Sequence, residues 1–388
     1  MKISGLFAGI GGIEYGLHKS GMKTIQLCEI MDEAQHVLKT HFPKSKLSSD
    51  IINLKSLDRI DLLSAGFPCQ DLSIAGNKNG IEGTQSSLVN EIFRLLETSN
   101  KELPKYILIE NVANILSLNK GSGIKLISDK IEALGYNWAY RIVDPRSFGL
   151  PQRRPRFIFL ASKEIHPKHL LFPNDENPKL IINDKINLSD KNKSYGFYWT
   201  EGKIGIGWAV NSVPPIKGGS SIGIPSPPAI WDVENDIFGT PTINDAERLQ
   251  GFPINWTKTI EDIGFHKNRR WKLIGNAVNT EVSNWIGERI MSKEKFVIDA
   301  SRIKLSKCKP WPKAAFNDNE NVYEVECSFY PKGVNYTPIL NFLNDPLVPL
   351  SKKATLGFLK RVKESTLINY PPEFINSLEI YLNKTYND

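Results

Sequence analysis

The sequence predicts an α/β protein built on a doubly wound, mostly parallel sheet, with a smaller irregular or β domain and a C-terminal extension. Three observations carry that expectation. Short apolar runs alternate with longer amphipathic ones through the first 160 residues. A glycine-rich turn follows the first apolar run, and polar residues collect where later runs end.

The candidate strands are Lys2–Phe7, Thr24–Glu29, Asp61–Ala65, Tyr106–Glu110, Trp138–Val143 and Arg156–Ala161. Between them Asp32–His41, Ser87–Glu97 and Gly123–Leu134 read as helices. In such sheets ligands bind beyond the carboxyl ends of the strands. From about Lys163 to Gly239 the periodicity fades into Pro, Gly, Asn and Lys, with runs such as Lys217-Gly218-Gly219-Ser220-Ser221. Helical spacing returns at Asn244–Leu249 and at Thr280–Met291, where Val282, Trp285, Ile286 and Ile290 share a face. A last helix is expected near Pro372–Leu382. The expected division is a cofactor-binding catalytic domain over 1–162, completed by 270–292. A small recognition domain and hinge cover 163–269, and an extension covers 293–388.

Among 388 residues, 40 % are hydrophobic and 23 % charged, which suits a globular protein with a core and argues against disorder. The net charge of +7 fits a polyanionic partner without requiring one. Two basic groups stand out: Arg141, Arg146, Arg153, Arg154 and Arg156 around the single acid Asp144, and Lys258, Lys267, Arg269, Arg270 and Lys272. Either is a solvated face or a phosphate contact. The cysteines Cys28, Cys69, Cys308 and Cys327 form no C-x-x-C pair, so neither a zinc site nor a redox motif is indicated, and no metal is expected. Glu14 interrupts the apolar start too early for a signal peptide, and no apolar run reaches the ~18 residues of a bilayer span. A reduced, cytoplasmic protein without membrane contact is expected.

Phe7-Ala8-Gly9-Ile10-Gly11-Gly12 lets the backbone turn sharply and approach a ligand. A dinucleotide site would want a third glycine where Glu14 stands, which disfavours a nicotinamide-dependent dehydrogenase. Glu29, at the end of the second strand, is placed to bind ribose hydroxyls. The pair fits an adenosine ligand without a diphosphate, such as S-adenosylmethionine. Gly66-Phe67-Pro68-Cys69-Gln70 sets a thiol just past a strand end on a Pro-fixed loop. A lone cysteine is usually a small buried hydrophobe, but cationic neighbours would favour the thiolate that a nucleophile requires. Glu110-Asn111-Val112 ends an apolar strand with a carboxyl group facing the cleft, or with Asn111 as a helix cap. In Gln152-Arg153-Arg154-Pro155-Arg156, alternation along the strand lets Arg154 and Arg156 reach the same place. Two guanidinium groups there suit a phosphate, a carboxylate or a base carbonyl.

With Leu6 added before the first motif, and with Glu247-Arg248-Leu249-Gln250-Gly251-Phe252-Pro253 and Gly275-Asn276-Ala277-Val278 at the far end, these segments resemble the ordered motifs of DNA (cytosine-5) methyltransferases of the bacterial modification type. The resemblance covers roughly residues 1–290. It departs at Asp71 and Leu72, after the cysteine, and at Pro155, where many members carry Glu. It implies a cofactor pocket of Phe7, Gly9, Gly11, Glu29, Ile30, Asp50, Ile51, Pro68, Leu88, Asn276 and Val278 for S-adenosylmethionine. Cys69 is then the nucleophile, and Glu110, Arg154 and Arg156 hold the target cytosine.

The implied partner is double-stranded DNA, with the base flipped out of the helix and the basic groups contacting phosphates. Sequence recognition would fall to 163–239, with Gly218, Gly219 and the polar residues around them as candidates. A monomer is expected, paired functionally with a restriction endonuclease. Two alternatives keep the fold: an RNA (tRNA) methyltransferase, disfavoured by the long recognition region, and an inactive DNA-binding protein, disfavoured by intact Cys69, Glu110, Arg154 and Arg156.

Overall fold

The computed structural model describes residues 1–68, 88–99, 102–173, 186, 190–219, 225–292, 294–306, 310–318 and 321–386. Cys69 and Cys308 lie outside the described residues. The chain divides into two compact units. The first is Met1–Ser147, Pro155–Pro178 and Val278–Gly333; the second is Phe148–Arg154, Lys179–Ala277 and Val334–Asp388.

The first unit begins β1 (Lys2–Leu6), α1 (Gly12–Lys19), β2 (Lys23–Cys28), α2 (Asp32–His41), β3 (Lys46–Ser48), β4 (Leu62–Ala65), α3 (Leu88–Thr98) and β5 (Tyr106–Val112). It continues through α4 (Ser122–Ala133), β6 (Asn137–Val143), β7 (Arg156–Ser162) and α5 (Lys168–Leu171). In the same unit α8 (Thr280–Ser292), β12 (Ile303–Leu305), β13 (Ala314–Asp318) and β14 (Asn321–Val325) follow. Among the described residues its strands form one sheet in the order β12-β14-β13-β6-β7-β5-β4-β1-β2-β3. β1 to β5 run parallel, and β7 is antiparallel to both of its neighbours.

β5 is buried on both faces and runs apolar from Tyr106 to Ile109 without alternating, whereas β1 and β4 carry the buried hydroxyls of Ser4 and Ser64. Tyr106, Ile107, Leu108 and Ile109 of β5 are all buried, and so are Phe157 and Phe159 of β7. α1 and α8 pack closely because Gly16 and Gly287 carry no side chain. A Cβ on Gly16 would fall on the Thr280 carbonyl, and one on Gly287 on the Ser20 hydroxyl.

The second unit holds β8 (Ser194–Phe197), β9 (Ala209–Val210), β10 (Ala229–Asp232), β11 (Ile237–Thr240) and β15 (Val348–Pro349), an antiparallel sheet in the order β15-β11-β10-β8-β9. Its helices are α6 (Ile243–Leu249), α7 (Arg269–Asn276), α9 (Ile339–Phe342), α10 (Lys352–Lys363) and α11 (Pro372–Tyr386). Aromatic rings make its core. Phe374 of α11 sits 4.7 Å from the Trp208 ring centroid and 5.2 Å from that of Trp231.

The units divide at other points than the composition indicates. α7, expected to complete the catalytic domain, instead buries Trp271 and Ile274 with Val213, Ile216 and Leu249 in the second unit. The residues after 293 are no separate block. β13 pairs with β6 in the first unit, and β15 pairs with β11 in the second. No local periodicity reports a strand whose partner lies more than a hundred residues away. Among the described residues no helix is long and apolar enough to cross a membrane.

Candidate active site

Register in the first unit brings the candidate residues to one edge. Leu6 pairs with Cys28 and with Ala65, Cys28 with Ser48, and Ala65 with Ile109. The residues that follow, namely Phe7, Glu29, Ser49-Asp50, Gly66 and Glu110, therefore emerge in a row at the carboxyl ends of β1, β2, β3, β4 and β5.

The turn after β1 requires its glycines. Gly9 and Gly11 hold φ of +55° and +83°, and Phe7 itself is left-handed at +55°. Nothing lies within 4 Å of where a Cβ on Gly9 would point, so the loop opens onto free space. Glu29 is clamped by the backbone: Gly9 N–H donates to Oε2 at 2.7 Å and Met31 N–H to Oε1 at 2.9 Å. Ile30 beside it is 70 % exposed. Asp50 accepts from Ile52 N–H at 2.9 Å and from Asn53 Nδ2 at 3.3 Å, while Ile51 is buried. Phe7 meets Phe67 edge to face at 6.4 Å. Pro68 is exposed, Leu88 opens α3, and a Cβ on Gly12 would collide with the Val278 carbonyl.

Glu110 and Arg156 form the polar centre. Arg156 Nε lies 3.1 Å from Glu110 Oε1, and its Nη1 donates to the Pro155 carbonyl at 2.9 Å. A Cβ on Gly66 would stand 3.7 Å from Glu110 Oε2 and 3.6 Å from Val278 Cγ2, so these three residues are neighbours. Asn111 is no helix cap. It sits in β5, and its Nδ2 donates to the Phe67 carbonyl at 3.1 Å, anchoring the loop two residues before Cys69. The sequence gives no sign of this role, because a side chain reaching another loop's carbonyl leaves no mark in spacing. Cys28 is unsuited to nucleophilic work: burial first, then the charges of Glu29 and Asp50, push its thiol up to about 12.

Three expectations are corrected. Glu14 does not face the glycine turn. It is buried beneath it, accepting from Ser64 Oγ at 2.8 Å over the bare Cα of Gly5, so its charge is no argument against a dinucleotide. The first basic group is largely structural. Arg141 is fully buried and donates to the carbonyls of Leu171 and Ser328, both at 2.8 Å, and Arg146 is buried against Asp144 and the Tyr330 hydroxyl. In the second group Arg270 is buried too, bonded to Thr257, Glu261 and Glu247.

The boundary between the two units falls between Arg154 and Arg156. Arg156 belongs to the first unit, whereas Arg154 belongs to the second and is buried there, donating to the carbonyls of Gly275 at 2.9 Å and Ala277 at 3.0 Å. Asn276 ends α7, exposed, also in the second unit. Among the described residues no group of three or more His, Cys, Asp or Glu side chains could hold a metal.

A glycine turn over a parallel sheet, with an acid clamped at the end of the second strand, is the arrangement of S-adenosylmethionine-dependent methyltransferases. A solved Dnmt2 methyltransferase from S. pombe shares the fold, with a TM-score of 0.54 at 19 % identity over 76 % of this chain and 99 % of that one. Residues 1–202 match the family model of the C-5 cytosine-specific DNA methylase. The chain is 47 % identical to the type II methyltransferase M2.BsuMI of Bacillus subtilis strain 168, across 98 % of this chain and 97 % of that protein. It is 29 % identical to the type II methyltransferase M.SsoII of Shigella sonnei, across 74 % and 79 % of the two chains. The protein belongs to the C-5 cytosine-specific DNA methylase family, and it transfers a methyl group from S-adenosylmethionine to carbon 5 of cytosine in DNA.

Proposed function

We propose that the chain methylates one particular double-stranded sequence through a covalent adduct on Cys69, as the modification enzyme of a restriction-modification system. The Glu110–Arg156 pair carries this reading. It is a nearly buried carboxyl–guanidinium couple beside Gly66, at the mouth of the loop that Asn111 anchors and that leads to Cys69. A carboxyl group donating its O–H to ring nitrogen 3 and accepting from the exocyclic amine, with a guanidinium donating to the carbonyl at position 2, matches cytosine in hydrogen-bond sense.

Carbon 5 of cytosine is a poor nucleophile. The Cys69 thiolate adds to carbon 6, and the ring becomes enamine-like, so that carbon 5 takes the methyl group. Glu110 stabilises the charge that develops on the ring as the adduct forms. A base such as water removes the proton from carbon 5, the electron pair restores the double bond, and Cys69 leaves as thiolate. S-adenosylmethionine, when bound, would supply the methyl group, its sulfonium becoming the neutral thioether of S-adenosylhomocysteine. Arg154, tied to carbonyls at the end of α7, is assigned as a positioning residue.

Phe7, Gly9, Gly11, Glu29, Ile30, Asp50, Ile51, Pro68, Leu88 and Val278, all of the first unit, are assigned to the cofactor. The open space over Gly9, the oriented Glu29 carboxylate and the exposed Ile30 fit an adenosine. The base is flipped out of the duplex to reach this chemistry. The second unit reads the sequence. A cytoplasmic monomer completes the reading, and the cognate endonuclease is suggested by relatives named as type II methyltransferases.

The test is bisulfite sequencing of plasmid from cells expressing the chain, against Cys69→Ser. Protected cytosines within one recurring sequence are expected, and none with the Ser variant. Undiminished methylation by Cys69→Ser, or methylation without sequence preference, would overturn the proposal.

A further inference from the structure

With Arg270 buried, the other two cations of α7 fall on one helix face. Along α7, Arg269, Lys272 and Asn276 are exposed while Arg270, Trp271, Leu273 and Ile274 are buried. Offsets of three and four place the exposed residues on one helix face. Lys267, just before α7, is exposed as well. Arg270 uses the carboxylates of both Glu247 and Glu261, so neither answers the surface cations. Among the described residues Lys267 and Lys272 enter no ion pair, and Asp262 is the remaining acid of the segment. Arg269 lies over the Phe265 ring at 5.2 Å, which holds its guanidinium at the surface.

A second observation concerns the run Lys217-Gly218-Gly219. It lies directly on α7. A Cβ on Gly275 would stand 2.9 Å from Gly218 N and 3.0 Å from the Ile216 carbonyl, and one on Gly218 would stand 3.2 Å from Lys272 Cα. Lys217 is taken by Glu201 and by the Tyr198 ring. The glycine run is thus seated on a helix that presents cations to solvent, while its own lysine is already paired.

We propose that Lys267, Arg269 and Lys272 bind the sugar-phosphate backbone of duplex DNA independently of sequence, and that this contact sets the register in which the adjoining Gly218-Gly219 run meets the duplex. The inference rests on the DNA-methylation reading and adds a division of labour to it. Phosphate contacts position a protein, and base contacts specify the sequence.

The test is the salt dependence of binding to a short random-sequence duplex, together with steady-state methylation of plasmid DNA. Replacing Lys267, Arg269 and Lys272 by Gln should make log K against log[salt] shallower by about 2 to 3, near 0.9 for each phosphate no longer neutralised. KM for plasmid should rise roughly tenfold with kcat unchanged. Lys267→Arg with Lys272→Arg should keep the wild-type slope. If the triple variant does not fold, Lys267→Gln and Lys272→Gln singly should each lower the slope by about 1. Cys69→Ser should keep the slope while abolishing methyl transfer, which separates this inference from the catalytic one. An unchanged slope in the Gln variants overturns the proposal. So does an equal weakening in the Arg variants, or a weakening seen with the methylated sequence but not with the random duplex.

Discussion

Arg156 Nε stands 3.1 Å from Glu110 Oε1 across the β5–β7 pair, in which Arg156 is in register with Val112 and Glu110 with Ile158. The two side chains reach toward each other diagonally, and both are nearly buried. Glu110→Gln preserves volume and hydrogen bonding but removes the charge that faces the guanidinium. In transition-state terms such a change costs about 10²-fold or more in kcat. S-adenosylmethionine affinity should stay near that of the wild type, because the acids assigned to the cofactor are Glu29 and Asp50, not Glu110. Initial rates with labelled S-adenosylmethionine and equilibrium dialysis separate the two quantities. A rate within roughly threefold of wild type would remove Glu110 from the chemistry.

Glu14 makes stability depend on pH in the sense opposite to most surface acids. Burial is the largest influence on it and raises its carboxyl from 4.5 to about 7, against the lowering effect of the Ser64 hydrogen bond. Among the described residues its Oε2 has no hydrogen-bond partner. The folded protein therefore holds a proton that the unfolded chain has already released above pH 4.5. Stability falls as pH rises from there through about 7, and beyond that the penalty is constant. Glu14→Gln should melt like the wild type near pH 4.5 and several degrees higher at pH 8, from a penalty of at most about 3 kcal/mol. Equal melting differences at both pH values would mean that Glu14 titrates normally.

Two glycines of the first unit differ in what a methyl group would strike. On Gly5 it meets the end of a side chain, the Glu14 carboxylate; on Gly12 it meets a backbone carbonyl, that of Val278. Gly5→Ala should therefore destabilise the wild type but much less so a Glu14→Ala background, with a coupling of about 1 kcal/mol or more. Gly12→Ala should find no such rescue and should abolish S-adenosylmethionine binding. Denaturant titration of the four-member cycle checks the first statement and dialysis the second. Additive effects of Gly5→Ala and Glu14→Ala would show that the clash is not felt.

The edge of the parallel sheet was legible because the chain writes it locally. An apolar run, then a turn, then a functional polar group recurs at Leu6, Cys28, Ala65 and Ile109, and strand register alone aligns the groups. The roles of the arginines were not legible. Arg141 and Arg146 look like surface charge in the sequence, yet their acceptors at Ser328 and Tyr330 lie nearly two hundred positions away. The same holds for residues 293–388, whose strands β13 and β15 are explained only by β6 and β11. Burial of charge and pairing at long range are tertiary facts, and the local pattern contains neither.

The interleaving of the chain between two units bears on how it is made. Synthesis is vectorial, and domains fold as their sequence emerges from the ribosome. β11 can form early, but β15, the Phe358 ring that stacks on Phe197 and the Phe374 ring that packs on Phe238 and Trp231 arrive only after residue 347. A nascent chain halted before that point carries an open strand edge beside bare aromatic rings, a combination that invites association with other chains. Completion of the second unit thus waits for residues 348–374, and a stop codon placed between β11 and β15 should yield aggregate rather than a shortened enzyme.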